Sequence, residues 1–320
     1  MSQCEYTGPS GQQCSEQSTE GNSVCFWHDR EADKTGEDIK EQLEQKARAF
    51  ESCEGYELHR ANLEDAFIIE LDLSYANLER ANMKDGHAWG INLKGARLMK
   101  ANLRDANLRE SKLEDVDLLG ANLDGADLDR AHWGKGYVLR NHKVAEQLAY
   151  RGDDEGAQAK YEEAVDTYQI IRQRYEANGT TDIAGRFFYN GMVCKRMQMP
   201  RWSVGRFWSL MVDWICGYGE DPIRVISFSL GVVVISALLF CVAGMSHGDS
   251  IYAFHLTNSL GEYLDILCYA MYYSIVTFTT LGYGDMVALG WGKAIAAFEA
   301  FAGVFLNSMF LLTFAKKMIR

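Results

Sequence analysis

The sequence predicts a multidomain membrane protein. A polar N-terminal two-thirds carries a strict short repeat and then helices, and an apolar C-terminal third is all-α and crosses the bilayer twice. Three observations carry this. From Val225 to Gly292 there is no Lys or Arg, although the chain of 320 residues holds 32 of them. Two runs, Val225 to Met245 and Ala294 to Phe314, are each 21 residues long, enough at ~1.5 Å per residue to cover the ~30 Å of a bilayer core. From Ala61 onward, a large residue returns at every fifth position without a slip.

Composition bounds the function classes. The net charge is −12, which argues against nucleic acid as a partner. Eight cysteines are scattered, with Cys241 and Cys268 inside apolar segments, so a secreted disulfide framework is excluded. Met1 to Glu31 is polar throughout, so no secretory leader is expected. No Ser/His/Asp set or carboxylate pair stands out, and no enzyme is expected.

Taken in order, residues 1–31 bring Cys4, Cys14, Cys25 and His28, a Cys₃His set suited to tetrahedral structural Zn²⁺. Only the Cys25–His28 spacing is short enough to be informative. In so short and polar a segment, metal binding would supply the folding energy; the alternative is a disordered arm carrying free thiols. Residues 32–55, with Ile39, Leu43 and Ala47 at helical spacing, read as a connecting amphipathic helix.

Residues 56–135 hold the repeat. The large position runs Leu63, Ile68, Leu73, Leu78, Met83, Ala88, Leu93, Leu98, Leu103, Leu108, Leu113, Leu118, Leu123, Leu128 and Trp133, and a small or aliphatic residue stands two positions earlier each time. A period of five fits neither helix nor strand. The triplets Ala61-Asn62-Leu63, Ala76-Asn77-Leu78, Ala101-Asn102-Leu103 and their kin resemble the pentapeptide-repeat family. That resemblance implies a right-handed quadrilateral β-solenoid of just under four turns, large and small residues stacked inward, with the flanking helices as candidate caps. Some members of that family mimic DNA with an acidic surface. Here Arg80, Arg97, Lys100, Arg104 and Arg109 interrupt that surface, so this use is not expected.

Residues 136–205 read as an α-helical linker, a hairpin of tetratricopeptide-like type with breaks at Gly152-Asp153 and Asn178-Gly179, then a third helix from about Asp182 to Met199. Residues 206–221, with Phe207, Trp208 and Trp214, suit an interfacial helix. The pore domain, 222–320, begins with Pro222 at the first turn of a helix. Arg201 and Arg206 precede the first span, and Lys316, Lys317 and Arg320 follow the second. By the positive-inside rule both termini are cytoplasmic and the loop between the spans is external.

In that loop Ser259 and Glu262 form a capping box opening a re-entrant pore helix over about 262–279. Thr279-Thr280-Leu281-Gly282-Tyr283-Gly284-Asp285 follows, where two glycines flanking an aromatic permit backbone conformations that a Cβ forbids, with successive carbonyls aimed at one line. The run Tyr272 to Asp285, with its T-x-x-T-x-G-Y-G signature from Thr277, resembles the pore helix and filter of the potassium-channel family. Trp291-Gly292-Lys293 and Gly303 extend the resemblance. It implies a filter at 280–284 in which the backbone carbonyls of Thr280, Leu281, Gly282 and Tyr283 and the Thr280 hydroxyl replace the hydration shell of K⁺, with Gly284 closing the motif. Asp285, Thr277, Tyr272 and Tyr273 would support the pore, Gly303 would be the inner-helix hinge and Asn307 would line the cavity; the alternatives are that Gly303 only allows close helix packing and Asn307 only hydrogen-bonds a neighbour. Phe310 and Phe314 are candidates for a hydrophobic gate, and Glu299 sits where it can pack on the pore helix and take up a proton. Asp249, Glu262 and Asp285, with no base nearby, would concentrate cations at the outer mouth. Leu281 departs from the family's commonest Val, and Val276 stands where some bacterial relatives carry Glu.

One filter strand cannot enclose an ion, so the reading is a homotetramer in the plasma membrane, with the solenoid serving an unidentified cytosolic ligand or protein. No helix carries Arg at every third position, which removes the usual voltage sensor. The alternative is a non-conducting membrane-anchored interaction scaffold.

Overall fold

The structure is a computed structural model that describes residues 2–9, 11–248, 250–254 and 259–318; Met1, Asp249 and Arg320 lie outside the described residues. The chain divides into two compact units, Met1–Arg206 and Phe207–Arg320.

In the first unit, the period of five becomes a coil of twenty. Ser52 pairs in parallel with Asp72, Glu57 with Asn77, Asn62 with Asn82, and so on to Lys112 with His132. Each five-residue side ends in a turn closed by a backbone bond such as Ala61 N to Leu58 O, 3.1 Å. The residue before that closing amide is left-handed: Arg60, Glu70, Tyr75, Lys100 and Glu110 all have φ between 55° and 58°. Leu63, Ile68, Leu73, Leu98 and Leu103 are fully buried, which drives coil closure through removal of apolar area from water. Between the inward rows, asparagines form a ladder: Asn82 Nδ2 donates to Asn62 Oδ1 at 3.1 Å, and Asn102 Nδ2 to Asn82 Oδ1 at 2.9 Å.

The repeat starts earlier than expected. Cys53, Tyr56 and Leu58 lie in the buried rows, and the connecting helix shrinks from 32–55 to α1, Asp38–Arg48. The reason is that Phe50 already takes the left-handed corner conformation, φ 53°, and commits the chain to the coil.

Both solenoid ends are covered, as an open ladder edge requires. At the first coil, α1 buries Ile39, Leu43 and Ala47, Lys40 Nζ donates to Glu64 O at 2.7 Å, and Glu44 Oε1 accepts from Phe67 N at 3.0 Å. At the last coil stand α2 (Arg140–Tyr150), α3 (Asp154–Ala177) and α4 (Thr181–Gln198). Tyr175 Oη donates to Leu128 O at 3.0 Å and accepts from Trp133 Nε1 at 2.8 Å. Phe187, fully buried, packs edge-on against Trp133.

The second unit holds α5 (Val204–Cys216) from Phe207 onward, α6 (Pro222–Ala243), α7 (Leu260–Phe278) and α8 (Gly292–Met318). The interfacial helix is therefore shorter than 206–221, because Gly217, Tyr218 and Gly219 all take left-handed conformations and end it. α6 and α8 are long and apolar enough to cross a membrane. Between them lies a small antiparallel sheet that periodicity did not announce: β1 (Met245–His247), β2 (Ser250–Tyr252) and β3 (Met286–Ala288), in the order β2-β1-β3. Met245 pairs with both Tyr252 and Ala288, so the segment after α7 is stitched to the chain leaving α6.

Candidate functional site

The segment 279–285 is placed by how α7 begins and ends. Its start carries the expected capping box, Ser259 and Glu262 each holding the other's backbone N–H. Its end is a Schellman turn: Leu281 N donates to Val276 O and Thr280 N to Thr277 O, both at 3.0 Å. The left-handed position of that turn, usually Gly, is Thr280 at φ 59°. A β-branched residue there is a genuine outlier, and such strain collects at functional positions. Gly282 and Gly284 are left-handed as well, at 55° and 78°, so the backbone alternates where the sequence placed its glycines.

Two struts hold this segment from outside. Tyr272 Oη donates to Asp285 Oδ2 at 2.9 Å, and Ala288 N donates to Tyr273 Oη at 3.3 Å, while the Tyr273 ring packs edge-on against Phe240 of α6. Thr277 contributes its carbonyl to the turn. Leu281 and Tyr283 are exposed within a single chain, 59% and 66%.

α8 grips α7 at two points one helical turn apart. A Cβ on Gly303 would stand 1.9 Å from the Phe278 carbonyl oxygen, so glycine here permits close packing of α8 on the end of α7. One turn earlier, Glu299 is completely buried and hydrogen-bonds Ser274 of α7, whose hydroxyl also lies 2.8 Å from the Val233 carbonyl of α6. Asn307 is exposed within one chain, and Phe310 and Phe314 stack 5.5 Å apart.

Sequence reasoning did not find the junction of α5, α6 and α8. Arg224 Nη1 lies 3.0 Å from Asp213 Oδ1 on α5, and its Nε 3.3 Å from Asp221. Glu220, in the turn between α5 and α6, pairs with Lys316 near the end of α8. The signal was only a set of opposite charges flanking two spans, read for its sign and not for its pairing.

In the first unit, the four N-terminal residues converge, with the ligand atoms of Cys4, Cys14, Cys25 and His28 all within 4.8 Å of one another. Antiparallel pairings of Gln3 with Gln17 and Thr7 with Gln13 fold the long intervals back. Cys14 and Cys25 sulfurs stand 3.9 Å apart, and His28 Nδ1 lies 3.2 Å from Cys25 Sγ. His28 Nε2 meets the Glu54 carbonyl at 2.9 Å. A carbonyl only accepts, so Nε2 carries the proton and Nδ1 turns a lone pair on the sulfurs. Burial lowers the His28 pKa and pushes the Cys25 thiol up to about 12.

Comparison with known proteins follows this division. Residues 228–320 match the family described as ion channel. The C-terminal unit contains an ion-channel domain. Residues 57–98, 76–115 and 101–132 match pentapeptide repeats, in eight copies. Among solved structures, a pentapeptide repeat protein from the cyanobacterium Cyanothece 51142 is 37% identical over 24% of this chain, with a TM-score of 0.24. The chain spans about half of that protein, 54%. A second, from Nostoc Pcc 7120, is 35% identical over 29% of this chain and 83% of its own, with a TM-score of 0.27. No curated protein matches the chain. The ion-channel domain thus begins inside α6 and takes in α7, the strained segment and α8, and the pentapeptide repeats coincide with the coil of twenty.

Proposed function

We propose that the chain is a potassium-selective channel, a homotetramer of the plasma membrane with both termini cytoplasmic, conducting through the carbonyls of Thr280, Leu281, Gly282 and Tyr283. The observation that carries this reading is the strained turn at Thr280 followed by left-handed Gly282 and Gly284, set between two spanning helices of an ion-channel domain. A single chain leaves Leu281 and Tyr283 exposed, which fits a segment completed by three other copies around an axis. Glu262 and Asp285 supply negative charge at the outer mouth. Gly303 serves as the pivot of the inner helix, Asn307 faces the cavity, and Phe310 and Phe314 narrow the inner end.

The Cys4, Cys14, Cys25 and His28 cluster suits structural Zn²⁺. A tetrahedral site with ~2.3 Å metal–sulfur bonds sets its sulfurs ~3.8 Å apart, and Cys14 and Cys25 stand at 3.9 Å. The His28 bond to the Glu54 carbonyl is the outer-shell partner such ligands have. Metal analysis of the purified protein is expected to return one zinc per chain, lost in Cys25→Ser; a metal-free wild type removes this part of the reading.

Because Glu54 lies in the first coil, the zinc knot would be fixed to the coils, and by chain order any force from them would enter the pore domain through α5. The test of the channel is single-channel recording in planar bilayers under opposed K⁺ and Na⁺ gradients, with Gly282→Ser alongside. A reversal potential near that for K⁺, lost in the variant, is expected. An assembled tetramer that stays silent even after deletion of residues 1–135 would favour a scaffold instead.

A further inference from the structure

Ser274 has one hydroxyl proton and two oxygen neighbours. Its Oγ lies 2.8 Å from the Val233 carbonyl on α6 and within hydrogen-bonding distance of Glu299 Oε1 on α8. A carbonyl oxygen has no hydrogen to give, so a bond to Val233 consumes the Ser274 proton. The contact with Glu299 is then a hydrogen bond only if Glu299 provides the hydrogen. A carboxylate can only accept, whereas a carboxylic acid has one O–H to donate.

We infer that Glu299 is a neutral acid donating into a directed chain, Glu299 to Ser274 to the Val233 carbonyl, which ties the inner helix to the pore helix and the pore helix to the outer one. The opposite placement of protons leaves two oxygen lone pairs facing each other at Val233. It also leaves a charge on a side chain with no exposed surface, whose Oε2 has no hydrogen-bond partner among the described residues. Both are costly at membrane depth. The polar groups that face the carboxyl are Ser274 on α7 and, on α6, the Val233 carbonyl and Ser236, with no charged side chain acting on it among the described residues.

This makes Glu299 a positioning residue for the segment 279–285. Ser274 is one turn before Phe278, and Glu299 one turn before Gly303, so the proton-bearing link and the Gly303 contact are the two points at which α8 fixes the end of α7. Removing the proton turns a donor into an acceptor, takes away the bond to Ser274 or the one to Val233, and lodges a charge between three apolar helices. The link therefore exists only while Glu299 keeps its proton. The consequence for current rests on the channel reading, but the proton assignment does not.

The experiment is infrared difference spectroscopy on the full-length protein in lipid vesicles at neutral pH, wild type minus Glu299→Gln. A carbonyl stretch of a protonated carboxyl, present in wild type and lost in the variant, is expected; no such band overturns the inference whether or not the protein conducts. Should Glu299→Gln fail to fold, Ser274→Ala serves instead, and the band is expected to move to higher frequency as the acid loses its acceptor. In bilayers, Glu299→Gln, whose amide N–H can donate to Ser274, is expected to retain current. Glu299→Leu is expected to lose current. Retained current in Glu299→Asp together with equal loss in Glu299→Gln and Glu299→Leu would mean that the ionised form is the working one, and the inference would be wrong.

Discussion

The solenoid and the ion-channel domain solve the same problem by opposite means. In the solenoid, each coil buries its large residues against the next coil of the same chain, and Leu63, Leu78, Leu93 and Leu103 have no exposed surface. In the ion-channel domain, α8 leaves Phe298, Phe301 and Leu312 more than 70% exposed, and α6 leaves Leu230 and Ile235 at 60%. Polar groups divide the same way. The coils close their own ladders and recruit Lys40, Glu44 and Tyr175 for the ends, whereas Leu281, Gly282, Tyr283 and Gly284 stand exposed among the described residues of the chain, with struts to Asp285 and Ala288 beside them. One region is complete as a monomer. The other leaves large apolar side chains of α6 and α8 exposed within a single chain.

Substitutions can break this comparison, and the largest effect is expected at Gly303. Gly303→Ala drives a methyl into the Phe278 carbonyl, a clash with backbone that costs about 3 kcal/mol per chain. Repeated in each copy, it is expected to abolish the tetramer or its current, read by native mass and single-channel recording. Amide exchange in the coils should be unchanged. Leu103→Ala is the counterpart in the solenoid: a fully buried side chain, a loss of about 2–5 kcal/mol, and faster amide exchange across residues 52–133 with assembly intact. Coils that held firm would show that their stability is not set by stacking. The smallest effect is expected for Tyr272→Phe, which deletes only the exposed bond to Asp285. It sharpens the contrast, since the loss should appear as shorter openings or weaker discrimination against Na⁺, with no change in thermal stability of the coils.

What the sequence made legible was whatever depends on period or on a local motif. Every fifth residue from Leu63 to Trp133 is buried because the coil is built from equal sides, and the capping box at Ser259 and Glu262 needs only four residues to declare itself. What stayed hidden depends on closure. The corners put Arg60, Glu70, Tyr75 and Lys100 in left-handed conformations that none of these residues prefers, so propensity alone points away from the true backbone. Cys4 and Cys14 are brought to Cys25 by two short pairings with no pattern of their own. Strands of three residues, β1 to β3, are too short to show alternation. For Gly303 the sequence leaves open a hinge or close helix packing, and the partner that requires a glycine, the Phe278 carbonyl, is visible only in three dimensions.

The pairing of Glu220 with Lys316 has a consequence in the arithmetic of assemblies. An ion pair of this kind is weak, biasing a chain between two arrangements by about twofold. If four copies must move together, the biases multiply, and two to the fourth power is about sixteenfold. On the tetramer reading, a contact too slight to matter for folding would thus become a lever on a collective transition, placed where it ties the end of α8 to the turn that follows α5.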